Sequence, residues 1–198
     1  MTIGILGGAF DPPHAGHVVL AREAIARFGL ERLVALVVAE PAHKPVETPV
    51  EQRVELARAA FADVPQDEVV PDDHAYTVDF LRERELPEGA VFVIGADELA
   101  DFLTWREPDE ILRRVRLGVA TRPGYPRERL EDVFARVERP ERVELFEIPA
   151  VSASSTEVRA RVAAGRPIDD LVPAEVARLV VALGLYHGVD PRGRAKLR

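Results

Sequence analysis

Short apolar runs of strand length alternate with segments of helical periodicity along the chain. Strands are predicted over residues 1–6, 33–38, 68–70, 90–94, 117–120 and 143–146. Helices are predicted over residues 15–28, 49–61, 77–84, 107–114, 156–164 and 173–183, the first of them closed by Gly29 as its C-cap. Such alternation favours right-handed crossovers and a parallel sheet that is covered on both faces. The predicted fold is therefore α/β, a doubly wound parallel sheet with helices on both faces.

The length and composition are those of an ordinary globular protein. With 198 residues, 47% hydrophobic and 30% charged, the chain fits one domain, predicted over residues 1–185 and followed by a flexible tail over residues 186–198. No run approaches the roughly 18 to 20 apolar residues that a membrane span needs, and the N-terminus has no signal-peptide pattern, so we expect a cytoplasmic protein without a membrane partner. The absence of Cys excludes disulfides and thiolate catalysis.

The charge pattern restricts the kind of ligand. A formal net charge of −8 argues against a nucleic-acid partner, since such binding needs clustered Lys and Arg. An anionic ligand must then be met locally. Lys occurs only at Lys44 and Lys196, which makes Lys44 conspicuous. No oligomeric state follows from the sequence.

The first loop, "GGAFDPPHAGH" at residues 7–17, follows the first predicted strand and opens the first helix. In doubly wound sheets ligands bind beyond the carboxyl ends of the strands, where such a loop lies. Gly7 and Gly8 allow the backbone to approach a ligand closely, and a helix N-terminus favours phosphate. His14 and His17 lie around its first turn, so both imidazoles can reach the same oxygen atoms. The alternative is that the pair only caps the helix.

Two further loops carry phosphate-suited side chains. "PAHKP" at residues 41–45 brings His43 and Lys44 to the same sheet edge, although a surface loop can carry both by chance. In "SASSTEVRARV", at residues 152–162, Ser154 and Glu157 have the capping-box spacing. Capping explains these two residues but not Arg159, which shares a helix face with Ser155.

Three stretches suit the remainder of a nucleotide ligand. "VIGAD" ends a buried strand with Gly95 and Asp97, which could accept from ribose hydroxyls or cap the next helix. Trp105, the only Trp, could stack on a flat ring or pack in the core. Thr77 is the predicted N-cap of its helix, whose N–H groups could hold a carboxylate.

The whole set of motifs resembles one family, the bacterial nicotinate-mononucleotide adenylyltransferases of the nucleotidyltransferase superfamily, with its His-x-Gly-His signature at residues 14–17. The resemblance extends over nearly the whole chain, through "GGAFDPPHAGH", "PAHK", "YTVDFL", "VFVIGAD", Trp105, "TRPG" and "VSASSTEVR". It implies a Rossmann-like nucleotidyltransferase fold. It also implies that ATP and nicotinate mononucleotide react to deamido-NAD and pyrophosphate, in NAD biosynthesis, with Mg²⁺ bound through the ATP phosphates.

The resemblance also assigns site residues. His14, His17, Lys44 and Arg159 would be catalytic, with His17 nearest the α-phosphate. The implied ATP-binding residues are Gly7, Gly8, Phe10, His14, Gly16, His17, Gly95, Asp97, Ser154, Ser155 and Arg159. The implied mononucleotide-binding residues are Lys44, Thr77, Trp105 and Arg106, the last through its main chain, since an aromatic residue is common at that position in the family. No metal held by the protein itself is expected.

Rival functions remain open at this stage. One is another adenylyl- or cytidylyltransferase of the same superfamily, with nicotinamide mononucleotide or a phosphopantetheine as acceptor. A second is a nucleotide sensor without catalysis, which would have no need to keep His14, His17, Lys44 and Arg159 together. A third is a partner-binding module, which would not explain three phosphate-suited loops at one sheet edge.

Overall fold

The computed structural model describes residues 2–41, 46–64 and 67–187. Within these ranges six strands form one sheet: β1 (Ile3–Gly8), β2 (Arg32–Val38), β3 (Asp67–Asp72), β4 (Val91–Gly95), β5 (Arg116–Thr121) and β6 (Val143–Glu147). Eight α-helices connect and follow the strands: α1 (Ala15–Phe28), α2 (Val50–Phe61), α3 (Thr77–Glu83), α4 (Ala96–Ala100), α5 (Pro108–Arg114), α6 (Glu131–Arg136), α7 (Ser155–Ala163) and α8 (Ala174–Ala182).

The strands are all parallel and run in the order β3-β2-β1-β4-β5-β6. The chain therefore winds outward from β1 to β3, returns to the other side of β1, and winds outward again to β6. The winding direction reverses between β1 and β4, and a crevice opens at such a point beyond the carboxyl ends of the strands.

Helices cover both faces of this sheet, as the sequence predicted. One apolar core packs residues of α1, α2, α7 and α8 against the sheet, and the other packs residues of α3, α4, α5 and α6. Neighbouring strand residues alternate between the two, so that Leu6 lies in the first core and Ile5 in the second. Among the described residues, none of the helices has the length and apolar character to cross a membrane.

Most predicted elements are found within one or two residues of their predicted ends. α1 has the predicted bounds, because Gly29 adopts the left-handed conformation (φ 59°) that closes a helix. The short helices α4 and α6 were not predicted, since five or six residues are too few to display a helical period.

Two details of the prediction are wrong. Thr77 is not the N-cap of α3: it is the first helical residue, and Tyr76 occupies the cap position. Burial of Val78, Phe80 and Leu81 against the core sets that register. Nor does a loose tail begin at Tyr186, because Tyr186 is 7% exposed and belongs to the core. The rest of the predicted tail, residues 188–198, lies outside the described residues.

Candidate active site

A cleft of about 1310 Å³ lies at the carboxyl ends of the strands, where the winding direction reverses. It is lined from several parts of the chain, including the ends of β1 and β4 and the beginnings of α1, α3 and α7. It brings together every predicted site residue that the structure describes: Gly7, Gly8, Phe10, His14, Gly16, His17, Thr77, Gly95, Asp97, Trp105, Arg106, Ser154, Ser155 and Arg159. Lys44 and its neighbour His43 lie outside the described residues.

The loop after β1 is packed tightly against its own aromatic side chain. Phe10 is 1% exposed, and its ring meets the rings of His17 and Phe61 edge-on, with centroids 5.1 and 5.5 Å apart. A Cβ atom at Gly8 would lie 3.0 to 3.3 Å from the ring atoms of Phe10, which is closer than a side chain can ordinarily approach. Gly8 is therefore needed for close approach to the Phe10 ring, while the close approach to a ligand suggested by the sequence stays a prediction. The Phe10 ring in turn packs against His17.

His14 and His17 cap α1 and line the cleft at the same time. The backbone N–H of Gly16 donates to Nδ1 of His14 (3.2 Å), and the backbone N–H of His14 donates to Nδ1 of His17 (3.1 Å). An imidazole whose Nδ1 accepts carries its hydrogen on Nε2 when it is neutral, so the capping bonds select the Nε2–H tautomer in both rings. Capping is therefore compatible with ligand binding, because it leaves the hydrogen of each neutral ring on Nε2; phosphate binding by the pair stays a prediction.

The charge state of His14 follows from its surroundings. Burial, and secondarily the positive charge of Arg122, lower the pKa of His14 from 6.5 to about 4. His14 is therefore neutral near pH 7 and can donate from Nε2 while its Nδ1 keeps the cap. Arg122 follows β5 directly, lines the cleft and was not singled out from the sequence.

The beginning of α7 holds the first loop in place. Ser154 accepts from the backbone N–H of Glu157 (3.1 Å) as N-cap, while the Glu157 carboxylate accepts from Arg161 (2.9 Å). One turn of helix brings Ser155 and Arg159 to the same face, as predicted. The Ser155 hydroxyl donates to the Pro12 carbonyl (2.8 Å), and Arg159 Nη1 donates to the Asp11 carbonyl (2.5 Å).

A buried arginine joins the loops from β1 and β2, and the sequence reasoning missed it. Arg53 is 1% exposed and lies on the core face of α2. Its guanidinium donates to the carbonyls of Ala9, Val38, Ala39 and Thr48, at 2.7 to 2.9 Å. The available signal was an arginine at a helical position otherwise taken by apolar residues.

The end of β4 presents a carboxylate to the cleft. Gly95 is the N-cap of α4, and the Glu98 carboxylate accepts from the Gly95 N–H (3.0 Å). Asp97 is not the cap of this helix: it is exposed, lies in its first turn and lines the cleft. Of the two interpretations of Asp97, the capping one is wrong.

Aromatic and charged side chains meet at the far end of the cleft. Trp105 is half-buried, with its ring edge-on to Phe92 (centroids 6.5 Å apart) and tilted against Phe102 (5.4 Å), so it both packs on the core and faces the cleft. The guanidinium of Arg106 lies over the Tyr76 ring, 4.8 Å from its centroid. Trp105 therefore combines the two roles that the sequence left open, packing in the core and lining the cleft, while stacking on a ligand stays a prediction.

A histidine that was not predicted also lines this end. His74 contacts the buried Asp72 through Nδ1 (2.5 Å) and Glu83 through Nε2 (3.1 Å). The hydrogen bond with Asp72 is the main cause that raises the pKa of His74 above its usual value. Through these two contacts His74 connects Asp72, at the end of β3, with Glu83, in the last turn of α3.

Comparison with known proteins identifies the family. The profile of the cytidylyltransferase-like family matches residues 5–161. Two proteins named "Probable nicotinate-nucleotide adenylyltransferase" align over nearly the whole chain. The one from Rubrobacter xylanophilus is 36% identical over 100% of this chain and 97% of its own, and the one from Thermus thermophilus is 38% identical over 94% and 100%. The chain belongs to the nicotinate-nucleotide adenylyltransferase family. The resemblance drawn from the motifs is thereby confirmed.

A solved structure supports the nucleotidyltransferase fold of this family member. The nicotinic acid mononucleotide adenylyltransferase of Plasmodium falciparum, complexed with APC, superposes with a TM-score of 0.75 over 93% of this chain and 96% of its own, at 16% identity. At that identity the likeness concerns the fold. The predicted Rossmann-like architecture is confirmed by it and by the strand order described above.

Proposed function

We propose that this protein transfers the adenylyl group of ATP to the 5′-phosphate of nicotinate mononucleotide, which yields deamido-NAD and pyrophosphate. The proposal rests on membership of the nicotinate-nucleotide adenylyltransferase family. The observation that carries it is the histidine pair at the N-terminus of α1, whose capping bonds orient two Nε2–H donors in a cleft that also receives Ser155 and Arg159.

The reaction needs positioning and charge neutralisation more than a covalent intermediate. A phosphate oxygen of the mononucleotide forms a bond to the α-phosphorus of ATP, and the bond from that phosphorus to the bridging oxygen breaks. Pyrophosphate leaves with the electron pair. Because the two reactants are both anions, the protein must hold them in line and stabilise the charge that develops on the α-phosphate.

The donors around the first loop suit this task. His17 would donate from Nε2 to the α-phosphate and His14 to a neighbouring phosphate, since both rings line the cleft on the same helical turn. Arg159, Ser154, Ser155 and Lys44 would hold the triphosphate and the leaving pyrophosphate. Arg159 and Ser155 also anchor the loop through its carbonyls, so they would contribute both contact and rigidity.

Mg²⁺ fits the site as a partner of ATP rather than of the protein. Within the described ranges no group of three or more His, Asp or Glu side chains is placed to hold a metal ion. Imidazoles and cationic groups are poor partners for this hard cation, which prefers oxygen. When bound through the triphosphate, Mg²⁺ supplies charge neutralisation of the phosphate oxygens.

The other end of the cleft suits the two nucleosides. Gly95 and Asp97 would face the adenosine ribose, whose hydroxyls can donate to the exposed carboxylate. Trp105 would stack on the pyridine ring. Main-chain N–H groups near Thr77 and Arg106 would hold the nicotinate carboxylate. The use of ATP supports a cytoplasmic location.

The reaction is tested by incubating the protein with ATP or CTP, Mg²⁺ and one acceptor at a time, and identifying the product by mass spectrometry. We expect deamido-NAD from nicotinate mononucleotide. Formation of a product only from a phosphopantetheine, or only with CTP as donor, would contradict the proposal. His17→Ala should lower kcat by about 10²- to 10³-fold with the fold intact, the usual loss for one donor at a developing charge. A kcat near that of the wild type would remove His17 from its assigned role.

A further inference from the structure

The last described turn of the chain reaches back to the first loop. Tyr186 is 7% exposed, and its hydroxyl donates to Oδ1 of Asp11 (2.8 Å), a carboxylate that is itself 7% exposed. The two residues are 175 positions apart in sequence. Burial, together with the nearby Asp11 carboxylate, raises the pKa of Tyr186 above its usual value, so the phenol keeps its hydrogen for this bond.

Asp11 is the point at which several anchors of the first loop meet. Its carboxylate accepts from Tyr186, and its backbone carbonyl accepts from Arg159. The next carbonyl, of Pro12, accepts from Ser155. Only Pro12 and Pro13 separate Asp11 from His14, the first member of the capping pair. A displacement of Asp11 is therefore transmitted to both imidazoles over a very short length of chain.

Arg159 and Ser155 bond to backbone carbonyls of the loop, whereas Tyr186 bonds to the buried side chain of Asp11. A buried carboxylate that loses a hydrogen-bond donor is left less well solvated, although the charge of Arg53 still acts on Asp11, and it regains solvation by moving toward water. Asp11 borders both the large cleft and a smaller cavity of about 240 Å³ beside Tyr186. It therefore has room to move when the hydroxyl is removed.

We propose that Tyr186 is a positioning residue for adenylyl transfer: its hydroxyl fixes the Asp11 carboxylate and thereby holds the loop that presents His14 and His17. The expected effect on kcat rests on the proposed function, whereas the expected loosening of the loop rests on the geometry alone. Tyr186 does not line the cleft and contacts no substrate in this scheme. Its effect passes through the histidine pair.

The kinetic test compares Tyr186→Phe in two backgrounds. In the wild-type background we expect kcat to fall about tenfold while KM for either substrate changes by less than about twofold, because loss of alignment of about 1 Å is enough to slow such a step severely. In the His17→Ala background the same substitution should cause a clearly smaller loss, because only His14 is left to be displaced. A purely structural role would reduce activity equally in both backgrounds. Equal losses, or a kcat of Tyr186→Phe within twofold of the wild type, would overturn the proposal.

A stability control separates loosened packing from lost alignment. Leu185 packs against the same core as the Tyr186 ring, so Leu185→Ala should lower Tm without the kinetic pattern of Tyr186→Phe. If Tyr186→Phe fails to fold, Asp11→Ala removes the acceptor of the Tyr186 hydroxyl and should reproduce the loss of kcat. An Asp11→Ala variant with the wild-type kcat would contradict the proposal.

Hydrogen exchange provides a reading that does not depend on activity. The N–H groups of His14 and Gly16 donate to the imidazoles, so their exchange rates report the integrity of the capping pair. Both rates should rise at least about tenfold in Tyr186→Phe, and unchanged rates would overturn the coupling. If the wild-type protein forms no dinucleotide, the proposed function fails, and these two rates still decide the coupling.

Discussion

Replacement of the buried Arg53 should lower the free energy of unfolding by far more than a typical single substitution does. Its guanidinium makes four hydrogen bonds to backbone carbonyls and is 1% exposed. Bonds to a charged group contribute about 1.5 to 3 kcal/mol each, which gives a ceiling of about 6 to 12 kcal/mol. Burial of the guanidinium offsets several kcal/mol of that sum, and burial lowers the pKa of Arg53 for the same reason.

We therefore expect Arg53→Met to lower the free energy of unfolding by about 3 to 5 kcal/mol, the range found when one partner of a buried charged contact is removed. For a chain of this length each kcal/mol shifts Tm by about 2 to 4 °C, so Tm should fall by about 6 to 20 °C. Urea titrations followed by circular dichroism, with the slope compared between variants, measure the free energy.

The matched control is Arg58→Met, on an exposed position of the same helix α2. Its free energy of unfolding should stay within about 0.5 kcal/mol of the wild type. An Arg53→Met protein within about 1 kcal/mol of the wild type would refute the reasoning. In that case the loops after β1 and β2 would not depend on the guanidinium that joins them.

The remaining predictions concern the acceptor and pH. Nicotinate mononucleotide should be preferred over its amide analogue in kcat/KM, and Arg106→Ala should keep that preference, because the proposed donors are main-chain N–H groups; comparable values for both acceptors in the wild type would contradict this. The pKa of His14 is about 4 in the folded protein, against an ordinary value of 6.5. Between pH 6.5 and pH 4 the unfolded chain therefore binds more protons at this residue than the folded protein does. The free energy of unfolding should fall as the pH drops through that range. His14→Asn, which keeps a capping side chain, should flatten this part of the curve of unfolding free energy against pH.

Local sequence patterns predicted the architecture well because most helices and strands carry their own signals within their own residues. The apolar period of α1 and Gly29 at its end gave both bounds of the helix, since an αL residue stops a helix wherever it occurs. The strands were found because a sheet buried on both faces requires continuous apolar runs. Thr77 shows the limit: a good capping residue lost that position because the burial of its neighbours decided the register.

The candidate site was predictable where one motif supplies several groups together. The first loop carries its glycines, its phenylalanine and both histidines within eleven residues, and all of them line one cleft. The supports beneath it were not predictable. Arg53 bonds to carbonyl groups, which every residue possesses and no sequence letter marks. Tyr186 depends on a partner 175 positions away, and its neighbours in sequence predicted only a flexible tail.

The bond between Tyr186 and Asp11 also sets the order in which the site is completed during synthesis. Ribosomes make Asp11 175 residues before Tyr186, so a nascent chain can form its early strands and helices before the phenol is made. Until then the carboxylate of Asp11 lacks its interior partner. A nascent chain that has not yet been extended to Tyr186 should therefore hold the first loop, and with it the histidine pair, less firmly than the finished protein does.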